Sequence, residues 1–283
     1  MRNQNVTFRT LTPAIGAEVA GIDLSRELDG GTVDTIRAGL LEHQLLVFRD
    51  QDITPDQQVA FAERFGEVED PHPVFGRLEL NPKITLIESQ GDKGYYNDAW
   101  HSDVSFKPRP ALGSLLYARI LPPAGGDTLW ASMYAAYEAL SAPMKGFLDG
   151  LTATHDFAFA FAESVLAQGE AEKLEEGRRK NPPTSHPVIR THPETGRPLL
   201  YVSESFTSRI NELSAPESKA LLAMLTDHIR RPEFQVRITW EPGTLAFWDN
   251  RATQHYAARD YMPHHRLMHR VTLLGDAPFH RAA

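Results

Sequence analysis

Three strand candidates follow one another near the end of the chain, and this arrangement constrains the fold more than any other feature. Phe234–Trp240 alternates apolar and polar residues, Thr244–Trp248 is a short apolar run, and Arg266–Leu274 is the third. Gln44–Asp50, Ile84–Glu88 and Ala111–Leu121 read as further strands. Another, Asp127–Trp130, follows the turn signal Pro122-Pro123-Ala124-Gly125-Gly126. Helical patterns are gathered into a few places. Thr54-Pro55-Asp56-Gln57 offers an N-cap threonine, a proline at the first helical position and a glutamine three after the cap, with Gly66 placed to end the helix. Tyr134–Leu140 and Pro143–Leu148 look helical, and Glu217–Ile229 spaces Leu221, Leu222, Leu225 and Ile229 along one face. The charged stretch Ala162–Pro183 reads either as a solvated helix followed by a loop or as a lid. Many strands with few helical inserts point to a β-sandwich or jelly roll rather than a doubly wound sheet. The expectation is one mainly β domain over residues 1–283 with flanking helices, carrying a helical and loop insert around 155–185.

Composition narrows the chemistry. Of 283 residues, 41% are hydrophobic and 23% charged, so a core can form without staples. The absence of cysteine removes disulfides, thiolate ligands, iron–sulfur clusters and cysteine nucleophiles. A formal charge of −8 disfavours nucleic acid and anionic membranes as partners. The opening MRNQNVTFRTLTPAIG contains no apolar signal region, and no apolar run approaches membrane-spanning length. A soluble, cytoplasmic protein is expected.

Within Trp100-His101-Ser102-Asp103, an extended backbone turns His101 and Asp103 to one face. An imidazole and a carboxylate, joined by a second imidazole, make the facial triad of non-haem iron, which leaves positions open for co-substrate and oxygen. His-x-Asp alone is a weak signal among 12 histidines, and an ordinary surface hydrogen bond is the bland alternative. His255, just past the apolar run ending at Trp248, is the best third ligand. The other histidines have plainer readings: His264 and His265 in an exposed turn, His186 and His192 in loops before prolines, His43 at a helix end, and His228 on an exposed helix side. In His265–Thr272, a strand would put Arg266, Met268 and Arg270 on one face, with the arginines roughly 13 Å apart at ~3.3 Å per residue. Buried guanidiniums need anions. These are either Asp and Glu side chains or bound ligands, one of them a carboxylate gripped at two points.

The runs WHSDVSF, GGDTLW, WDNRATQHYA and HRLMHRVTLLGD, with NPPTSHPVIRTHPETG and SFTSRI between them, resemble the taurine dioxygenase group of Fe(II)/2-oxoglutarate oxygenases nearly end to end. The resemblance implies a double-stranded β-helix, with His101, Asp103 and His255 as iron ligands. It implies that Thr128 and Arg266 bind the distal carboxylate of 2-oxoglutarate, and that Arg270 faces the substrate sulfonate close to the co-substrate. Substrate contacts would fall to His72, Asn97, the Val104 backbone, Phe161 and Phe206. Phe75 stands where the family has a tyrosine that helps hold the substrate amine, and Tyr95 and Tyr96 are candidates to take over that part. The implied reaction consumes 2-oxoglutarate and O2, hydroxylates the carbon bearing the sulfonate of taurine, and releases sulfite, an aminoaldehyde, succinate and CO2. A homo-oligomer is implied as well.

Other alkyl sulfonates, alkyl sulfates and aryloxyalkanoates are rival substrates under the same chemistry. A zinc hydrolase built on His-Asp-His would leave Thr128, Arg266 and Arg270 without a task. A non-enzymatic binding protein would leave the triad unexplained.

Overall fold

Leu45-Leu46-Val47-Phe48 is wholly buried, and its alternate side chains enter two different cores. The same division recurs in the neighbouring strands. Leu116, Ala118, Ala246, Trp248 and Met268 share one core with Leu45 and Val47. Leu115, Tyr117, Phe247, Val271 and Leu273 share the other with Leu46 and Phe48. Side chains in a strand alternate between faces, so strands that are apolar on both must be covered on both. The computed structural model, which describes residues 5–70, 75–91, 93–94, 98–167 and 171–281, shows how this is achieved.

The large sheet contains β1 (Thr7–Thr10), β2 (Ala17–Ala20), β3 (Leu45–Phe48), β4 (Gly76–Leu78), β5 (Asn81–Gln90), β6 (Lys93–Gly94), β7 (Gly113–Ile120), β15 (Leu245–Asp249) and β17 (Arg266–Leu273). Its order is β1-β2-β3-β15-β7-β17-β5-β4, with β6 on β5. Facing it is a three-stranded sheet of β8 (Thr128–Ser132), β14 (Gln235–Ile238) and β16 (Thr253–Ala257), in the order β14-β8-β16. Trp130, Val236 and Ile238 from this sheet close the core between the two layers. The architecture is a jelly roll, as the sequence predicts.

Helices α1 (Gly30–His43) and α2 (Pro55–Glu63) cover the outer face of the large sheet through Val33, Ile36, Leu40, Val59 and Phe61. The capping box at Thr54 forms, but α2 stops at Glu63, before Gly66. Helices α3 (Met133–Glu138), α4 (Ala142–Leu148) and α7 (Ala215–Ile229) back the small sheet with the ribbon β11 (Ile189–Thr191) and β12 (Pro198–Leu200). A third sheet pairs β9 (Thr152–His155) with β10 (Thr184–Pro187) and β13 (Thr207–Ile210).

The charged stretch is two helices instead of one helix and a loop. Helix α5 (Phe157–Ala167) is apolar and α6 (Ala171–Lys180) is charged. Among the described residues, no helix is long and apolar enough to cross a membrane.

Three histidines depart from expectation. His186 lies in β10, buried, with Nε2 donating to the Ser105 and Lys107 carbonyls at 2.9 and 3.0 Å. His192 is buried against Asp249, Nε2 to Oδ2 at 3.0 Å. His228 is half-buried, and its ring donates to the Ala136 carbonyl. A following proline or a helical position gave no sign of these partners, which come from distant segments.

Candidate active site

The two imidazoles are brought together by the backbone. His101 and His255 exchange both N–H···O bonds, at 3.1 and 2.8 Å, in an isolated antiparallel bridge. Directly opposed residues project to the same face, and the ring centroids lie 4.1 Å apart. His255 follows the buried strand β15, as expected, and itself stands in the middle of β16. It pairs with Trp130 on β8, whose ring stacks on its imidazole. Two residues after His101, Asp103 returns to the same face, with Oδ1 3.9 Å from each imidazole Nε2. Ligand atoms of all three lie within 4.8 Å of one another, and all three residues are buried. His101 donates from Nδ1 to the Ala99 carbonyl at 2.8 Å, which leaves Nε2 as a lone-pair donor.

Electrostatics favour the same state. Burial lowers the His101 imidazole, and burial reinforced by His101 brings His255 down to about 3, so both rings are neutral near pH 7. Burial alone would raise the Asp103 carboxyl, but Arg270 and the imidazoles outweigh it and hold it well below the carboxylate range. Two neutral imidazoles and one carboxylate within reach of a common point form a donor set that fits a divalent ion with open positions.

Arg270 reaches Asp103 directly, Nη1 to Oδ1 at 3.0 Å, while its Nε has no hydrogen-bond partner among the described residues. Its guanidinium carbon lies 5.4 Å from the centre of the Phe75 ring. Arg266, on the same face of β17, is 4% exposed, yet among the described residues its Nε and Nη2 have no hydrogen-bond partner. Burial lowers its pKa. Gly126, at φ +73°, makes room for it, since a Cβ there would come within 3.2 Å of Arg266 Cδ and Nε. Thr128, buried at the start of β8, accepts from Trp240 Nε1 at 3.0 Å, which leaves its hydroxyl hydrogen free to donate.

Of the expected pocket residues, Val104, Phe161 and Phe206 share one apolar cluster. Phe206 stands edge-on to His101, with Phe161 5.9 Å behind it. His72 and Asn97 lie outside the described residues, as do Tyr95 and Tyr96.

Comparison with known proteins decides the lineage. The family described as taurine catabolism dioxygenase TauD, TfdA family, matches residues 7–272. The chain belongs to the TauD/TfdA family. An alkylsulfatase of Acinetobacter baylyi is 39% identical over 278 residues, which cover 96% of this chain and 86% of the relative. An alpha-ketoglutarate-dependent sulfate ester dioxygenase of Pseudomonas putida is 39% identical over 269 residues, 93% of this chain and 88% of the relative. A crystal structure of a taurine dioxygenase from Burkholderia xenovorans superposes with a TM-score of 0.83 at 40% identity, covering 96% of this chain and 90% of that one.

Within this TauD/TfdA chain, several residues shape the site that sequence reasoning did not single out. Ser114 donates to Asp103 Oδ2 at 3.0 Å. Trp240 orients Thr128, and Trp248 packs its ring 5.0 Å from that of His255. Asn250 bonds the Asp103 backbone. The run WDNR, immediately upstream of the histidine segment, was the one available signal for Asn250; Ser114 and Trp240 carried none, because they are remote in sequence from the groups they hold.

Proposed function

We propose that the chain is an iron(II)- and 2-oxoglutarate-dependent dioxygenase acting on a small organic sulfate or sulfonate with an apolar carbon skeleton. The observation that carries this reading is the pairing of a buried His-Asp-His cluster with Arg266, a buried guanidinium on the same strand face as Arg270 whose Nε and Nη2 have no hydrogen-bond partner among the described residues. A buried charge left without a protein anion is costly unless a ligand completes it. A hydrolase has no use for a second anchor of this kind, whereas a dicarboxylate co-substrate does.

In this reading His101, Asp103 and His255 hold iron(II), and Arg266 with Thr128 holds the distal carboxylate of 2-oxoglutarate. Such a centre supplies oxidative chemistry: O2 and 2-oxoglutarate are consumed, succinate and CO2 leave, and one substrate C–H becomes C–OH. Arg270 anchors the substrate anion beside Asp103, with His72 as a second anchor. Val104, Phe161 and Phe206 exclude water and orient the carbon next to the anion, so that positioning selects the bond attacked. A carbon hydroxylated next to a sulfate ester oxygen collapses to an aldehyde and inorganic sulfate; next to a sulfonate, it yields an aldehyde and sulfite.

Phe75 beside Arg270 lacks the hydroxyl expected to assist an amine, and both relatives described above act on, or are named for, sulfate esters. We therefore place alkyl sulfates ahead of taurine. Coupled measurement of O2 uptake and sulfate or sulfite release, across alkyl sulfates, alkyl sulfonates and taurine, tests the order. Preferential turnover of taurine would reverse the substrate assignment. Failure of every substrate, together with no 2-oxoglutarate consumption, would refute the dioxygenase reading. Substituting His255→Ala should lower turnover by at least about 1,000-fold and abolish the weak visible band formed anaerobically by iron(II) with 2-oxoglutarate.

A further inference from the structure

Asp103 sits where a strand ought to end. The ladder between residue 101 and β16 consists of one bridge, His101 with His255, and does not extend to residue 103. The Asp103 backbone nevertheless has both its bonds. Its N–H donates to Asn250 Oδ1 at 2.7 Å, and its carbonyl accepts from Asn250 Nδ2 at 3.0 Å. The same Nδ2 donates to the Ala111 carbonyl at 3.2 Å. Asn250 is itself 1% exposed and tied down, its own N–H donating to the Leu112 carbonyl at 2.9 Å. A carboxamide presents one acceptor and one donor at the spacing of a peptide group, so this side chain does for Asp103 what a neighbouring strand would do.

The next residue shows what the clamp opposes. Val104 has φ +48°, a conformation that a β-branched residue adopts only under constraint from its surroundings. It is buried in the pocket wall, and its carbonyl accepts from Lys107 at 2.9 Å, closing the turn. Released from Asn250, the backbone could relax at Val104, and the Asp103 carboxylate would turn with it.

We propose that Asn250 is a positioning residue: by standing in for a missing strand at Asp103, it fixes the direction of the carboxylate in the triad and holds Val104 in its left-handed turn. The proposal rests on the reading that the triad binds a divalent ion, and its test uses ion affinity rather than turnover. Mn(II) binding to the purified full-length chain is measured by calorimetry and by the loss of free-ion resonance signal. Melting curves confirm that each variant is folded at the temperature used. Asn250→Ala should weaken Mn(II) binding at least tenfold. Glycine accepts the left-handed conformation without strain, so adding Val104→Gly should recover at least threefold of that loss.

A purely structural asparagine would lower the melting temperature and leave the affinity of the folded protein unchanged. Affinity within twofold of wild type in Asn250→Ala overturns the proposal, as does a loss that Val104→Gly does not relieve. Should Asn250→Ala fail to fold, Asn250→Ser, which can keep one of the three bonds, takes the same test with the same thresholds. Failure of the wild-type chain to bind Mn(II) would sink the metal reading of the triad, and this proposal with it; binding by wild type and Asn250→Ala alike would sink only the proposal.

Discussion

At Arg251, in the turn between β15 and β16, two carboxylates close around a buried guanidinium. Nε and Nη2 meet the two oxygens of Asp249 at 2.9 and 2.7 Å, and Nη1 meets Glu194 at 2.8 Å. Burial alone would lower the pKa of Arg251, but Asp249 and Glu194 outweigh it and raise it. His192 completes Asp249, and Arg37 completes Glu194. At Arg266 on β17, burial is as deep, but among the described residues no carboxylate bonds Nε or Nη2, and burial prevails. Arg190 is intermediate: it has idle nitrogens too, but Asp276 and the Tyr201 ring offset its charge. A finished charge cluster fastens the chain, here the turn that leads into His255. One left open, as at Arg266, is where the proposed co-substrate carboxylate would bind.

The sharpest way to break this comparison is to remove each arginine in turn. Arg251→Met should destabilise the protein by about 3–5 kcal/mol in urea unfolding, because Asp249 is left as a buried, uncompensated charge. Arg266→Met should behave in the opposite sense. Unfolding stability should hold or rise, while the concentration of 2-oxoglutarate needed for half-maximal rate climbs about 10- to 100-fold, as expected for a charge-assisted bond of about 1.5–3 kcal/mol. Equal losses of stability in the two variants would erase the distinction.

A smaller effect is expected at the partner of Thr128. Trp240→Phe keeps an aromatic side chain but removes the indole N–H, and should raise the same 2-oxoglutarate requirement about fivefold, near 1 kcal/mol for a neutral hydrogen bond. The gentlest test is pH. Burial brings His155 to about 3 and His186 to about 4, each aided by a neighbouring positive group. The unfolded chain, with histidine near 6.5, binds more protons than the folded one between these values. Melting temperature should therefore fall as pH drops below about 6.5, and further below about 4, where the unfolded chain takes up a proton at Asp249 while Arg251 and His192 hold the folded carboxylate ionised. His186→Gln should flatten the first part of that decline and leave the second.

Much of the frame was legible in the sequence, for a physical reason. β3, β7 and β15 are buried on both faces, so their apolar runs are dense enough to read directly. β16 was not, since Thr-Gln-His-Tyr-Ala has no apolar alternation, and its strand character comes from pairing with β8. The triad, Thr128 and the two arginines could be named from motifs. The contact of Arg270 with Asp103 could not, because it joins residues 167 positions apart. Nor could the cluster of His192, Asp249 and Arg251, whose members look like ordinary loop polar groups until the chain folds back on itself.

The backbone bridge between His101 and His255 has one more implication. Strand pairing has a period of two, so a slip of one residue in β16 would turn His255 to the opposite face and present Gln254 or Tyr256 in its place. The two histidines come from distant parts of the chain, and their meeting depends on long-range pairing, a slow part of folding. Any probe that requires both imidazoles together therefore reads alignment as well as chemistry. Titrated against a preparation of this protein, such a probe would count the molecules whose sheets have closed in register and pass over those that are merely compact.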